Sequence, residues 1–413
     1  MKYFGTDGIR ELFSESLVEK VYKVGYSFSK SFDVILVAKD TRESGEKLAL
    51  AFISGAIAGG ATTVYAGILS TPALSFAVRN GYYKGGAMIT ASHNPSEYNG
   101  IKLFDGEGYK LCEGELNLIE EELDRIPLGR FFFLPPISDR PKELYLDFLR
   151  NLAKPETHLS VLIDCANGAT ADIAKKAFST EYFSPTFIGT EGIINENCGV
   201  FYVEKARDIK KQMGLDLAFI FDGDGDRIVV VDEENEILDG DIILYILAKW
   251  LFESDKLKRR KVVGTVYSSI GLEKSLKNLE IDFDRTKVGD RFIADVLRRE
   301  FLPLGGESSG HIIYNQTTGD GVRIALFLSW LSSIKPLSKR KAGYIYSKRK
   351  TFDIDYNDSL YSRLTNLEKE FNSKHTDSRI LVRKSGTEPK IRILIESENE
   401  EELEEGVDFL QIV

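Results

Sequence analysis

A short apolar strand followed by a helical segment is the pattern that most restricts this chain, because it recurs. Residues 34–38 form a run of the kind buried on both faces of a sheet, residues 46–59 are an Ala- and Ile-rich segment of helical length, and residues 86–90 return to a strand. The alternation restarts at residues 161–164 and again at 261–267. Strand and helix repeated in this way predict α/β layers, and three such units are expected. At 413 residues and 43% hydrophobic, the chain is too long for one core and should divide into several. The proline-marked stretch 127–141 is the expected first linker. After Pro336 and the basic run Lys339-Arg340-Lys341 the order changes to a strand at 351–355, a helix at 359–371 and two strands around 380–395, which predicts a smaller α+β domain. The expected domains are 1–140, 141–239, 240–338 and 339–413. The acidic stretch 398–405 reads as the solvated start of a last helix.

Between two of the apolar runs stands Asp222-Gly223-Asp224-Gly225-Asp226-Arg227. Alternate side chains of an extended segment share one face, so Asp222, Asp224 and Asp226 can converge, and the intervening glycines let the backbone bend around an ion. Hard oxygen ligands suit Mg2+ or Ca2+. One Asp-Gly pair would be read as an acidic turn, but three in register favour a metal site. An EF-hand loop has similar spacing, with Glu233 at its twelfth position, yet Arg227 stands where that loop needs glycine and the flanks are strands.

Three carboxylates on one dication leave a net negative site, and a phosphorylated side chain would serve as fourth ligand. The candidate is Ser92 in Thr90-Ala91-Ser92-His93-Asn94-Pro95, just past a strand end in a loop expected to be open enough to react. Taken alone, that segment is equally an ordinary Ser/Asn turn. Gly305-Gly306-Glu307-Ser308-Ser309-Gly310-His311 adds a carboxylate, hydroxyls and an imidazole in a glycine-rich turn, a set suited to sugar hydroxyls through paired donors and acceptors. Arg383-Lys384-Ser385-Gly386-Thr387-Glu388-Pro389, followed by Arg392, joins two guanidinium groups to hydroxyls and flexible N–H groups, a composition that fits phosphate. Together these segments supply a nucleophile, a metal site, a hydroxyl reader and a remote phosphate clamp.

In this order, and with Phe4-Gly5-Thr6-Asp7-Gly8-Ile9-Arg10 before them, the motifs resemble those of the α-D-phosphohexomutases over nearly the whole chain. Asp164-Cys165-Ala166-Asn167-Gly168, Val288-Gly289-Asp290-Arg291 and Thr317-Thr318-Gly319-Asp320-Gly321 look most like the bacterial phosphoglucosamine branch. The resemblance implies four domains around a central active-site cleft, the smaller fourth one mobile. It further implies that phospho-Ser92 exchanges a phosphoryl group with a phosphorylated hexosamine through glucosamine 1,6-bisphosphate. Mg2+ would be held by Asp222, Asp224, Asp226 and the Ser92 phosphate. Arg10 and Arg227 would offset the remaining anionic charge, and Glu307 and Ser309 would read the sugar. Arg383, Ser385, Gly386, Thr387 and Arg392 would hold the unreacting phosphate. His93, Lys102 and His311 match positions near the reaction, with the proton steps unassigned among them. Phosphomannomutase or phosphoglucomutase chemistry of the same superfamily is the alternative. A homodimer is compatible with the resemblance.

Some segments depart from the family pattern. After Asn195-Glu196-Asn197-Cys198-Gly199 the branch continues with small polar residues and a His-Pro pair, whereas Val200-Phe201-Tyr202-Val203 follows here. Glu11 replaces a glycine, and the segments after Arg10 and between Trp330 and Tyr344 are shortened.

Composition excludes several other classes. With 54 Lys and Arg against 64 Asp and Glu, a net charge of −10, nucleic acid is not an expected partner. Cys112, Cys165 and Cys198 are odd in number and scattered, which points to a reducing compartment rather than a disulfide framework. The first motif begins at Phe4, leaving no room for a signal peptide, and no apolar run approaches the ~20 residues of a membrane span, so a cytoplasmic location is expected. A metal-dependent phosphoserine phosphatase would share Ser92 and the aspartates but needs no second phosphate clamp. A non-catalytic sugar-phosphate binder would need no nucleophile.

Overall fold

In the computed structural model, which describes residues 2–384 and 389–411, the described strands form four sheets, one per expected domain. The first comprises β1 (Ile9–Leu12), β2 (Val34–Lys39), β3 (Thr62–Ile68), β4 (Gly85–Ile89) and β5 (Tyr98–Phe104) in the order β1-β5-β4-β2-β3. The second comprises β6 (Leu159–Asp164), β7 (Phe183–Ile188), β8 (Leu217–Phe221), β9 (Ile228–Val231) and β10 (Ile237–Leu238) in the order β10-β9-β8-β6-β7. The third is β12 (Asp282–Thr286), β11 (Lys261–Thr265), β13 (Leu304–Gly306) and β14 (Ile312–Tyr314), in that spatial order. In each, strands joined through helical crossovers lie parallel, as β2 with β4, β6 with β8 and β11 with β13. The fourth sheet is antiparallel, with β17 (Lys390–Ser397) between β15 (Lys348–Asp355) and β16 (Ser378–Lys384). Helices Asp358–Lys374 and Glu400–Gln411 complete that domain.

The domains share one device. Each sheet contains an antiparallel hairpin, β4/β5, β8/β9, β13/β14 and β16/β17, and the four connections are the four motif loops. Every loop therefore leaves the carboxyl end of a strand, where backbone hydrogen bonding stops and side chains are free to face a ligand.

The expected linker ends sooner than its prolines suggest. Pro141 lies in the first turn of helix Arg140–Arg150, where its missing N–H costs nothing. Phe148 of that helix stacks on Phe76 of helix Thr71–Asn80, with ring centroids 4.4 Å apart, tying the first two domains together. One apolar cluster runs through the first three domains, from Leu36 through Phe219 to Leu328, and each of them also keeps a separate cluster of its own. The fourth keeps its own core of Phe371, Ile380, Ile391 and Leu403. Among the described residues no helix is long and apolar enough to cross a membrane.

Candidate active site

The β8/β9 turn brings three carboxylates together, though not through the extended geometry expected from alternation. Residues 222–227 form a tight turn in which Gly225 adopts φ +76° and its N–H donates to Asp222 O, so chain reversal rather than strand pleat makes the acids converge. Asp222, Asp224 and Asp226 are all buried, and one oxygen of each lies within 4.8 Å of the others. Burial, with Asp224 and Asp226 beside it, pushes the Asp222 carboxyl up to about 8. Asp224 Oδ1 and Asp226 Oδ1 are buried and make no hydrogen bond. Buried acceptors without donors, on three converging carboxylates, are the donor set of a hard dication, so the residues fit such an ion.

Ser92 is the second correction. It is fully buried rather than exposed, because the second domain covers its loop. Its Oγ donates to Asp222 Oδ2 at 2.6 Å and lies 3.1 Å from His93 Nδ1. The residue adopts φ +53°, a left-handed conformation that a non-glycine residue holds only when its surroundings enforce it. They do so here. Thr90 Oγ1 accepts from Ser92 N–H at 2.8 Å, while the Ser92 carbonyl accepts from Arg42 Nη2 at 2.9 Å and from Asn195 Nδ2 at 2.8 Å.

Arg42 and Asp40 were not singled out from the sequence, although they follow β2 as Ser92 follows β4. Arg42 is buried, pairs with Asp40 at 3.0 Å, and also donates to the carbonyls of Asn94, Pro95 and Tyr98. Thr90 Oγ1 closes the network on Asp40 Oδ2 at 2.7 Å.

Lys102, on β5, reaches into the acidic turn, with Nζ 2.7 Å from both Asp224 Oδ2 and Asp226 Oδ2 and 3.4 Å from Asp7. Burial pushes its ammonium down, but the three aspartates outweigh that and hold it well above the ordinary lysine range. Lys110 bridges Asp7 and Asp290, and His311 stands between Asp290, 3.1 Å from Nε2, and Asp226, 3.5 Å from Nδ1. Burial opposes charge on His311 and the two carboxylates favour it, while Nε2 also accepts the Gly319 N–H at 2.8 Å, which favours the neutral ring with its proton on Nδ1 facing Asp226. Burial, reinforced by Arg227 and Arg10, pushes His93 down to about 2, so the imidazole is neutral.

Arg10 pairs with Asp7 and faces Asn94, while the Arg227 backbone N–H donates to Asp222 Oδ1. Both have a buried Nε with no acceptor, as expected of cations built for an anion. Glu307 Oε1 accepts from Gly289 N–H at 3.1 Å, and Ser309 is exposed. Arg383 and Arg392 oppose each other directly across β16 and β17, and Asp353 continues the row beside Arg392. Like charges in a cross-strand pair repel, so the placement suits a shared anion. Ser385, Gly386 and Thr387 lie outside the described residues. In the divergent loop, Phe201 sets its ring edge-on to His93 at 5.4 Å and Tyr202 caps the helix Val203–Met213.

Four family models match in sequence order: phosphoglucomutase/phosphomannomutase alpha/beta/alpha domain I over residues 1–129, domain II over 143–235, domain III over 239–347 and the C-terminal domain over 363–411. The phosphoglucosamine mutase of Dictyoglomus turgidum is 36% identical, with 96% of this chain and 94% of the relative covered. That of Bacillus subtilis is also 36% identical, covering 98% and 97%. This chain belongs to the phosphoglucosamine mutase family. The fold of that family extends to more distant structures. A phosphoglucomutase/phosphomannomutase family protein of Burkholderia thailandensis superposes with a TM-score of 0.84 at 21% identity, covering 99% of this chain and 96% of that one. The Aspergillus fumigatus N-acetylphosphoglucosamine mutase, solved with GlcNAc-6P and magnesium, gives 0.63 at 17%, covering 99% and 95%. As a phosphoglucosamine mutase family member the chain is an isomerase of amino-sugar metabolism.

Proposed function

We propose that this chain interconverts glucosamine 6-phosphate and glucosamine 1-phosphate through a phosphoseryl enzyme and bound glucosamine 1,6-bisphosphate. The observation that carries the reading is Ser92 Oγ in contact with Asp222 of the acidic turn, in a chain that also presents the Arg383 and Arg392 pair. One group can exchange a phosphoryl group while the other holds a second phosphate. The family's curated members carry the same activity in their names, and the Aspergillus enzyme of this fold binds a phosphorylated amino sugar with magnesium.

In the first half-reaction the bond from phosphorus to Ser92 Oγ breaks as the free sugar hydroxyl oxygen bonds to phosphorus. That hydroxyl loses its proton to a base, and Ser92 Oγ regains one. After the bisphosphate turns around, Ser92 Oγ gives up its proton to a base as it bonds to the other phosphorus, and the bond from that phosphorus to the sugar oxygen breaks as the oxygen takes up a proton. Mg2+ held by Asp222, Asp224, Asp226 and the Ser92 phosphate would draw charge from the phosphoryl oxygens. His93 Nδ1, neutral and 3.1 Å from Oγ, is placed to orient the seryl oxygen. Lys102, held charged by carboxylates, counters the anionic charge with Arg10 and Arg227, and His311 stands beside them between Asp226 and Asp290. Glu307 and Ser309 read sugar hydroxyls, and Arg383, Arg392 and the segment Ser385-Gly386-Thr387 hold the remote phosphate so that its binding energy orients the reacting end.

A panel of hexose phosphates, assayed for isomerisation with a trace of bisphosphate, tests the reading. Glucosamine phosphate should give the highest kcat/KM, with glucose 1-phosphate slower by roughly tenfold or more, since discrimination rests on the group at C2. A preference for mannose 1-phosphate would move the chain to another branch.

A further inference from the structure

Side chains of Arg379, Leu381 and Arg383 alternate onto one face of β16, and that face meets the third domain at the connection between β11 and helix Ile270–Lys277. At one end, Arg379 Nη2 donates to the Ser268 carbonyl at 2.6 Å and pairs with buried Glu396 at 2.9 Å. At the other, Arg383 Nε donates to the Tyr267 hydroxyl at 3.0 Å, and its guanidinium carbon lies 4.7 Å from the centre of the Tyr267 ring. Tyr267 is itself held, since its N–H donates to Thr265 Oγ1 and the next two residues are fixed by Thr265 and Asp241. A guanidinium whose Nε is tethered to the hydroxyl of the same aromatic ring that its carbon lies over is restricted in rotation about its last bonds.

We propose that Tyr267 is a positioning residue for the substrate phosphate: it fixes the plane of the Arg383 guanidinium, so that a sugar phosphate entering between the third and fourth domains meets an oriented fork. The inference rests on the reading of Arg383 as part of the phosphate clamp. A bidentate contact to phosphate depends on the direction of the N–H bonds, so a guanidinium fixed beforehand binds without ordering itself again. Tyr267 touches no reacting atom in this scheme and acts through Arg383.

Steady-state kinetics and inhibition by inorganic phosphate test it in four variants: Tyr267→Phe, Tyr267→Leu, Arg383→Lys and Arg383→Lys with Tyr267→Phe. Tyr267→Phe keeps the ring and loses only the acceptor, so it should fold normally, with an unchanged thermal midpoint. It should raise KM and the phosphate inhibition constant together by about fivefold, with kcat/KM falling more than kcat; Tyr267→Leu should do more. Lysine has no Nε and no plane to fix, so in the Arg383→Lys background Tyr267→Phe should add less than about twofold. Independent, multiplicative effects in the double variant would overturn the proposal. So would a loss of kcat at constant KM, which is what a merely structural tyrosine gives. If Arg383→Lys weakens phosphate binding while neither Tyr267 variant does, Tyr267 is not the positioning residue and the clamp stands. If Arg383→Lys itself leaves KM unchanged, the clamp fails and this proposal with it.

Discussion

Ser92 is held in a left-handed backbone conformation by donors and acceptors from three separate segments, and its hydroxyl makes a short contact with Asp222. The phosphoseryl reading predicts that Ser92→Ala retains the fold and its thermal midpoint but loses nearly all mutase activity. Full activity in a preparation free of contaminating enzyme would sink that mechanism. Arg42 has a different task. Its guanidinium satisfies buried Asp40 and four loop carbonyls at once, so removing it strands a buried carboxylate. Arg42→Ala should cost about 3–5 kcal/mol of stability, seen as a lower thermal midpoint. An unchanged midpoint would show that the loop holds itself. Ser92 could be named from sequence only in company with the acidic, sugar and phosphate motifs and the resemblance they carry, since its loop alone reads as an ordinary Ser/Asn turn. Arg42 could not be named, because an arginine shortly after a strand looks the same in sequence whether solvent or a folded loop surrounds it.

Among the elements, short β1 matters because it carries Arg10 and pairs with β5, which carries Lys102. The pairing is close at one point. A Cβ on Gly100 would lie 1.7 Å from the Ile9 carbonyl oxygen, so Gly100→Ala must push β1 away from β5. Overall secondary structure by circular dichroism should persist while turnover falls by about tenfold or more, because Arg10 moves with the strand. Wild-type turnover in that variant would show that Arg10 does not need its present place. The β8/β9 turn carries the metal prediction. Chelation with EDTA should abolish activity and added Mg2+ restore it, and Asp224→Asn should raise the Mg2+ concentration needed. Activity that survives complete chelation would remove the metal from the scheme. The strands around this turn were legible from their apolar runs; its geometry was not. Alternating acids on an extended segment and acids on a tight turn share a sequence, and only the antiparallel pairing of β8 with β9 selects the turn.

The whole molecule is joined unevenly. The first three domains share apolar core, whereas the fourth meets the third through polar contacts: Glu396, held by Arg349, Arg379 and the Ser347 hydroxyl of its own domain, accepts the Ile270 N–H of the third, Arg349 reaches Asp241, and Arg379 donates to the Ser268 carbonyl. Burial pushes the Glu396 carboxyl up, but Arg349 and Arg379 outweigh it and hold it below its ordinary 4.5. A depressed carboxylate stabilises fully above its unfolded value and loses that contribution as pH falls through the folded one. The Glu396 contribution should therefore be present at neutral pH and be lost as pH drops below about 4.5. Glu396→Gln should lower the thermal midpoint at pH 7 and flatten this acid dependence. Equal acid sensitivity in both proteins would place the loss elsewhere.

Sequence alone determined the kinds of element and the chemical parts. Apolar runs of strand length alternating with Ala-rich helical segments leave little but α/β layers, and the serine, acidic, sugar and phosphate motifs, each readable alone as a polar loop, point to one reaction only when taken together. Tertiary structure alone decided which parts meet. Asp222 and Ser92 are 130 residues apart and touch because two hairpin turns from different sheets face one cleft. Lys102 reaches Asp224 from another domain, and the same contacts bury Ser92 in a loop that local sequence marks as open. Long-range contact depends on how whole domains pack, which no local pattern encodes, so nucleophile and acids could be named from sequence while their enclosure, and the Arg42 network beneath them, could not.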